Sequence, residues 1–281
     1  MGIDVCANTV RSLLKKMQYS LKVNHKILES GLKNPPDSEQ RDKQFVHIAG
    51  LREQFAKMIN PIISVDTKKK ELIGNFKNKG RSWQKEPVKV KDHDFPTDAI
   101  GKVVPYGIYD TIANTGTVFL GTSCDTPRFA TESIEHWWKS EGQPTYRHAK
   151  EILILADSGG SNSYRSRVWK FNIQQKLCNQ FGLKVYVSHY PPGCSKWNPI
   201  EHRLFSEISK NWQGRPLDSY ETVLKYIRTT KTESGLFVKA HFVRKKYPKG
   251  EAITNQEMNK ISIEKNQEMP DWNYILSPAK M

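Results

Sequence analysis

Cysteine is scarce in this chain, and its spacing fits neither a disulfide framework nor a zinc site. The 281 residues include four cysteines, Cys6, Cys124, Cys178 and Cys194, and no two of them form a CxxC pair. Disulfide frameworks are typical of small secreted domains, so we expect a reducing, cytoplasmic environment. His189 lies near Cys194, but no second ligand pair accompanies them, and no zinc site is predicted there.

Long apolar runs are also absent. No stretch approaches the ~20 apolar residues that a membrane-spanning helix needs. The start of the chain, "MGIDVCANTVRSLL", lacks the apolar run of a signal peptide. The sequence therefore predicts no membrane partner. Its length allows one large domain, alone or with small appendages, and its 37% hydrophobic content suits a globular protein.

Acidic residues are few relative to basic ones. The chain has 29 Asp and Glu against 44 Lys and Arg, a net charge of +15. Two segments, 67–91 and 161–215, each hold nine basic and two acidic residues. A solvated basic surface is the simplest interpretation. Basic patches with Trp and Tyr between them favour a nucleic-acid partner over a membrane-binding helix.

The first sixty residues have helical patterns. In "NTVRSLLKKMQYSL" the apolar residues recur at helical spacing, with Asn8 or Thr9 as a possible N-cap. Three basic residues, Arg11, Lys15 and Lys16, lie on the other side of this helix. It fits the last helix of a DNA-binding helix-turn-helix or an ordinary amphipathic helix. We assign 1–33 as a partial helix-turn-helix segment that binds DNA through those three residues, and 34–60 as a linker and a helix.

Strand and helix patterns alternate over the main part of the chain. From residue 61 the predicted order is β–β–β–α–β–α–β–α, with an irregular basic insert at 77–100, called the basic insert below. Strands in a meander followed by alternating helices predict an α/β fold with a mixed sheet and helices on both faces. We assign 61–250 to this domain. Residues 251–281 are predicted to be a tail, in which only "DWNYIL" packs back on the body.

Three carboxylates occupy matching positions in these elements. Asp66 ends the strand "IISVD", Asp157 ends "EILILAD", and Glu201 lies in the first turn of the helix "WNPIEHRLFSEISKNW". Glu201 shares a helical stripe with Phe205, Ile208 and Trp212. A carboxylate on an apolar stripe is costly unless a cation meets it, and oxygen ligands suit Mg²⁺ or Mn²⁺.

Each carboxylate also has a structural interpretation. Asp66 could cap the lysine turn, Asp157 could accept hydrogen bonds from the glycine loop, and Glu201 could stabilise its helix N-terminus. Three further carboxylates, Asp92, Asp94 and Asp110, are rival candidates but complete no better trio. A phosphate-binding loop is excluded because "DSGGSN" has no Gly-Lys-Ser/Thr ending.

Several longer motifs resemble those of the Rhodopirellula-type, or ISAzo-type, DDE transposases of bacterial insertion sequences. They include "ILADSGGSNSYRSRVWK", "HYPPGCSKWNPIEHRLFSEISKNWQGRPL", "DHDFP", "YGIYD", "SIEHWW" and "DWNY". The similarity runs from about residue 3 to 278. Cys194 stands where the family commonly has Thr. Members usually have more chain before this N-terminus.

The resemblance implies a ribonuclease H-like fold and a metal-dependent function. Asp66, Asp157 and Glu201 would be the catalytic carboxylates and would bind two Mg²⁺ or Mn²⁺ ions. The protein would cleave DNA at the ends of an insertion sequence and transfer the strand to target DNA, as a homo-oligomer associated with the nucleoid. The expected DNA contacts in the catalytic region are Lys68, Lys69, Lys196, Trp197, Asn198, His202 and Arg203.

Two other functions stay open at this point. A truncated, catalytically silent DNA-binding remnant would bind DNA without cutting it. A ribonuclease H-like nuclease would cut a different substrate without strand transfer. For Trp197, packing in the core is the alternative to a DNA contact.

Overall fold

The computed structural model describes residues 5–20, 22 and 37–279, and the chain divides into two compact units, residues 1–35 and 36–281. In the first unit the helix α1 spans Ala7–Lys16, with Cys6 as its N-cap instead of the predicted Asn8 or Thr9. Its basic residues Arg11, Lys15 and Lys16 are exposed. The helix-turn-helix prediction extends over residues 23–33, which lie outside the described residues.

The second unit is built on a nine-stranded mixed sheet. The strands are β1 (Ile62–Thr67), β2 (Glu71–Ile73), β3 (Gly101–Asp110), β4 (Thr115–Gly121), β5 (Glu151–Ala156), β6 (Lys184–His189), β7 (Phe237–Val243), β8 (Ile263–Lys265) and β9 (Asn273–Leu276). Their order across the sheet is β7-β4-β3-β1-β5-β6-β9-β8, and β2 pairs with β3. β1, β5 and β6 are parallel, whereas β3 runs antiparallel to both β1 and β4.

Helices cover both faces of this sheet. They are α2 (Ser38–Lys57), α3 (Pro127–Trp137), α4 (Gln143–Thr145), α5 (Arg167–Ile173), α6 (Ser206–Asn211), α7 (Tyr220–Arg228) and α8 (Asn255–Met258). A π-helical turn links α3 to α4, another extends α5 through Asn179, and a third, Glu201–Phe205, leads into α6. Among the described residues no helix is long and apolar enough to cross a membrane.

The core forms because alternate strand residues enter opposite apolar layers. Ile63 and Val65 of β1 join the layer under α3 and α5, where Trp137 and Trp169 are fully buried. Ile62 faces α2, and the neighbouring layer holds the Glu201–Asn211 helix and α7. The predicted mixed sheet with helices on both faces is confirmed. An antiparallel hairpin followed by parallel strands is the expected ribonuclease H-like order.

The end of the chain differs from the prediction. Residues 251–281 were expected to be a tail, yet β9 pairs antiparallel with β6, and β8 pairs with β9. The predicted "DWNYIL" contact is therefore a strand of the main sheet. Residues 213–250 add α7 and β7, which the sequence had not predicted, and β7 lies parallel to β4. The basic insert is irregular, as expected, apart from a short 3₁₀ turn at Pro96–Asp98.

Candidate active site

Two of the predicted catalytic carboxylates lie at the ends of neighbouring parallel strands. Val65 of β1 is in register with Ala156 of β5, so Asp66 and Asp157 leave the sheet side by side at its carboxyl edge. This edge is where open α/β sheets bind ligands. Asp66 is 8% exposed, and the Thr67 backbone N–H donates to its Oδ1 over 2.7 Å.

The Asp157 carboxylate has one oxygen without a protein partner. Its Oδ1 is buried, and no described group forms a hydrogen bond with it. Asn162 belongs to the short 3₁₀ turn that follows Asp157. Its side chain accepts from the Tyr106 hydroxyl over 2.9 Å and donates to the Val65 carbonyl over 3.4 Å. An unpaired buried oxygen is costly, and a bound cation would satisfy it.

Glu201 comes to the same edge on the face of the sheet to which Ser64 and Asp66 point. It begins the π-helical turn Glu201–Phe205 in front of α6, and Phe205, Ile208 and Trp212 are buried on the predicted stripe. We call Glu201–Asn211 the Glu201 helix. Its start is anchored to β1 because the Ile200 N–H donates to Ser64 Oγ over 3.0 Å and the Asn198 amide donates to the Val65 carbonyl over 3.3 Å.

Gly107 allows the Glu201 helix to pack closely on the sheet. It is the register partner of Asp66 on β3. A Cβ atom at Gly107 would lie 2.5 Å from Cε1 of Phe205 and 2.9 Å from Cδ1 of Ile200. Because glycine has no Cβ, both side chains rest directly on the strand, and Glu201 lies close enough for its charge to help raise the pKa of Asp66.

The electrostatics of the three carboxylates favour a bound cation. Burial, followed by the charge of Asp157, raises the pKa of Asp66 to about 8. Burial also raises the pKa of Asp157 to about 6, and the charges of Glu201 and Asp125 add to this effect. Only oxygen ligands are available, which fits Mg²⁺ or Mn²⁺. Across residues 5–20, 22 and 37–279, no three acidic, His or Cys side chains are already arranged around a metal position.

A fourth carboxylate, Asp125, was missed by the sequence reasoning. It lies in a cavity of about 450 Å³, which we call the acidic cleft, and which is also lined by Asp66, Asp157, Lys68, Lys69 and Lys70. The Thr67 hydroxyl donates to Asp125 over 3.0 Å, and Lys70 Nζ lies 4.0 Å from its other oxygen. Its signal in the sequence is weak, since it precedes the α3 N-cap Thr126 in a loop instead of ending a strand.

The predicted DNA contacts of the catalytic region divide into two groups. Five of them are exposed near the acidic cleft or at the start of the Glu201 helix: Lys69, Lys196, Trp197, His202 and Arg203. Trp197 is 59% exposed, so its alternative role in the core is wrong, although its ring contacts Phe45 edge-on.

One of the predicted DNA contacts is contradicted, and a second is partly covered by neighbouring side chains. Asn198 is fully buried, because its amide joins the anchor on β1. Lys68 is largely covered, with Nζ 3.1 Å from Glu71 and 4.6 Å from the centre of the Trp212 ring. Asn198 therefore has a structural role, whereas Lys68 also lines the acidic cleft, and its contact with DNA stays a prediction.

The rival carboxylates lie elsewhere. Asp110 is buried at the far end of β3, where it accepts from the Tyr146 hydroxyl and from the backbone N–H groups of Ile112 and Ala113. It holds the turn between β3 and β4. Asp92 and Asp94 are exposed in the basic insert. None of the three lines the acidic cleft.

Comparisons with known proteins agree with the motifs. The family model described as Rhodopirellula transposase DDE domain matches residues 1–278. No curated protein matches the sequence. Among solved structures, the Mos1 transposase paired-end complex with left transposon end has a TM-score of 0.48 at 14% identity and covers 78% of this chain and 61% of that chain. The Mos1 mariner paired end complex with Mn has a TM-score of 0.46 at 16% identity and covers 79% of this chain and 62% of that chain. The chain therefore spans less than two thirds of the Mos1 chains.

Proposed function

Because the chain belongs to the Rhodopirellula transposase DDE domain family, as its motifs predict, we propose that it cleaves DNA at insertion-sequence ends and joins the freed 3′ end to target DNA. The observation that supports this most directly is the unpartnered buried Oδ1 of Asp157 beside Asp66. A protein that only bound DNA would gain nothing from burying two adjacent carboxylates.

Asp66, Asp157 and Glu201 are the proposed ligands of two divalent cations, Mg²⁺ or Mn²⁺. Such ions, when bound, activate a water or a DNA 3′-hydroxyl and stabilise the leaving oxygen. The protein supplies the rigid frame. The Thr67 N–H orients Asp66, and Ser64 with Asn198 fixes the start of the Glu201 helix. Asp125 adds negative charge to the acidic cleft.

The proposed substrate is double-stranded DNA, and the surface charge supports it. Beside the acidic cleft lies a second cavity of about 470 Å³, which shares Lys69 and Lys70 with it and adds Lys77 and Lys79 of the basic insert. These ammonium groups would hold phosphates next to the carboxylates. We further propose that the protein acts as a homo-oligomer on DNA, in the cytoplasm and associated with the nucleoid.

The proposed function is tested with purified protein, Mg²⁺ or Mn²⁺, and a labelled duplex carrying the terminal repeats of its own element. Wild type is expected to nick the duplex and to join strands. Asp157→Asn and Glu201→Gln are each expected to reduce cutting by at least about 100-fold, since even indirect damage to a metal site costs 10- to 100-fold.

Glu207→Gln is the matched control. Glu207 lies in the same helix and pairs with Lys210 on its own surface, so this variant should cut like wild type. Wild-type protein that binds the duplex but never cuts it would favour the catalytically silent remnant. Cutting without strand transfer would favour a nuclease.

A further inference from the structure

A chain of buried hydrogen bonds leads from the helix α5 to the backbone of Asp157. The Trp169 Nε1–H donates to the Tyr274 hydroxyl over 2.9 Å. The Tyr274 hydroxyl lies 3.0 Å from His189 Nε2, and His189 Nδ1 lies 2.8 Å from the Asp157 carbonyl oxygen. Trp169 and His189 are 0% exposed and Tyr274 is 2% exposed. Side chains from α5, β9 and β6 are thus linked by hydrogen bonds to the backbone of Asp157, a proposed catalytic residue.

The chemistry of the two ends fixes the direction of every hydrogen bond. An indole N–H can only donate, and a carbonyl oxygen can only accept. In the neutral form, which full burial favours, His189 therefore carries its proton on Nδ1, and its Nε2 accepts from the Tyr274 hydroxyl. Tyr274 accepts from Trp169 and donates to His189. Each group has the partner it needs, so a single tautomer and ring orientation of His189 satisfies the whole chain.

This arrangement acts where the sheet ends. Ala156 of β5 is in register with His189 of β6, so Asp157 is the first residue beyond the paired strand. There the ladder no longer fixes the peptide plane, and the His189 bond to the Asp157 carbonyl replaces it. We propose that His189 and Tyr274 are positioning residues that hold Asp157 for cation binding. This inference rests on the proposed function.

The test measures Mn²⁺ affinity of the whole protein without DNA. Tyr274→Phe removes the hydroxyl that donates to His189 Nε2 and keeps the ring. It is expected to weaken Mn²⁺ binding about 10- to 100-fold, as for other groups that orient metal ligands. Tyr146→Phe is the matched control, because it also removes a buried hydroxyl. That hydroxyl donates to Asp110 at the far end of β3, which does not line the acidic cleft. The Mn²⁺ affinity of Tyr146→Phe should equal that of wild type.

Two further variants test the role of His189 itself. The side-chain amide of His189→Asn can donate from nearly the position of Nδ1, whereas His189→Phe offers no donor. We expect Asn to retain more Mn²⁺ affinity than Phe. In ¹⁵N NMR spectra of the metal-free protein, His189 should be the Nδ1–H tautomer in wild type, and the Nε2 signal should shift in Tyr274→Phe because that nitrogen loses its hydrogen bond.

The outcomes separate this inference from the proposed function. Equal Mn²⁺ affinity of Tyr274→Phe and Tyr146→Phe, in a wild type that binds Mn²⁺ and cuts DNA, would overturn the positioning role alone. Equal affinity of the Asn and Phe variants of His189 would do the same. A wild type that binds no Mn²⁺ would overturn both proposals.

Discussion

His189 illustrates how a buried titratable residue links stability to the site. Burial lowers its pKa to about 4, because the fully enclosed ring cannot keep a positive charge hydrated. The unfolded chain binds the same proton at about pH 6.5. The neutral ring therefore favours folding above pH 6.5, and this contribution is lost as the pH falls through that value towards about 4.

His189→Asn should make the free energy of unfolding depend less on pH in this range. Between pH 7 and about 4.5, wild type is expected to lose up to about 3 kcal/mol more unfolding free energy than His189→Asn, because each pKa unit corresponds to about 1.4 kcal/mol. Urea unfolding at each pH measures the difference. The exposed His148 provides the control, and His148→Asn should follow the wild-type curve. Parallel curves for wild type and His189→Asn would contradict this account.

The sequence predicted part of the site at this scale. Asp66 and Asp157 could be chosen as candidates because each ends an apolar strand pattern, and Glu201 because it shares a helical stripe with apolar residues. Asp125 could not, since it lies in a loop and is brought to the acidic cleft only by the fold. Asn198 was assigned to DNA because sequence motifs do not distinguish a buried amide from an exposed one. The hydrogen bond from His189 to Asp157 requires the register of two strands, which no local pattern contains.

At the scale of elements, the close packing of the Glu201 helix on the sheet depends on two glycines in the strands. Gly107 on β3 receives Phe205 and Ile200, and Gly116 on β4 receives Leu204, whose Cδ1 would lie 2.4 Å from an added Cβ. The helix also starts with a π-helical turn, and such turns often occur at functional sites. Small residues on the strands and one wide helical turn together set the height of Glu201 above Asp66.

Gly107→Ala is expected to displace this helix. The added methyl group would overlap with two buried side chains, and overpacking of this kind costs about 1–3 kcal/mol. DNA cutting should fall at least about 10-fold, since small misplacements of catalytic groups reduce rates strongly. Cutting of the labelled duplex and urea unfolding measure the two effects.

Gly50→Ala controls for adding a methyl group elsewhere. Gly50 lies in α2, and no heavy atom is within 4 Å of its added Cβ. This variant should keep full activity and gain up to about 1 kcal/mol of stability, because alanine favours a helix. Full activity of Gly107→Ala would show that the close contact does not set the position of Glu201.

At the scale of the whole molecule, the charge of +15 governs the expected response to salt. A protein that neutralises phosphates releases counterions, so its DNA affinity falls steeply as salt rises. Lys77, Lys79 and Arg81 of the basic insert are exposed, and the two lysines line the second cavity. Replacing all three by Gln is expected to reduce the slope of log affinity against log salt by up to about 3.

The control replaces Lys246, Lys249 and Lys260 by Gln. These side chains are exposed and the net charge changes equally, but they line neither cavity. Fluorescence anisotropy with a labelled duplex at several salt concentrations gives both slopes. If only the total charge mattered, the two triple variants would have equal slopes of log affinity against log salt. The proposed DNA path along the basic insert would then be wrong.

At this scale, sequence patterns predicted the central strands of the sheet but not the short strands near the end of the chain. Alternating strand and helix patterns identified the sheet from β1 to β6, because these segments are long and apolar. The end of the chain was expected to be a tail, because β8 and β9 are short and lie among polar residues. The pairing of β9 with β6, and of β8 with β9, depends on an edge that only the folded sheet offers.

The position of Tyr274 in β9 also has a consequence for protein synthesis. Asp66, Asp157 and Glu201 all leave the ribosome before Tyr274, so a growing chain can contain every proposed metal ligand while His189 still lacks its hydrogen bond from Tyr274. A message that stops between codons 201 and 274 would yield a product in which β6 has an open edge. In the cell, the full metal affinity and DNA-cutting activity proposed for this protein would thus appear only once translation has passed β9.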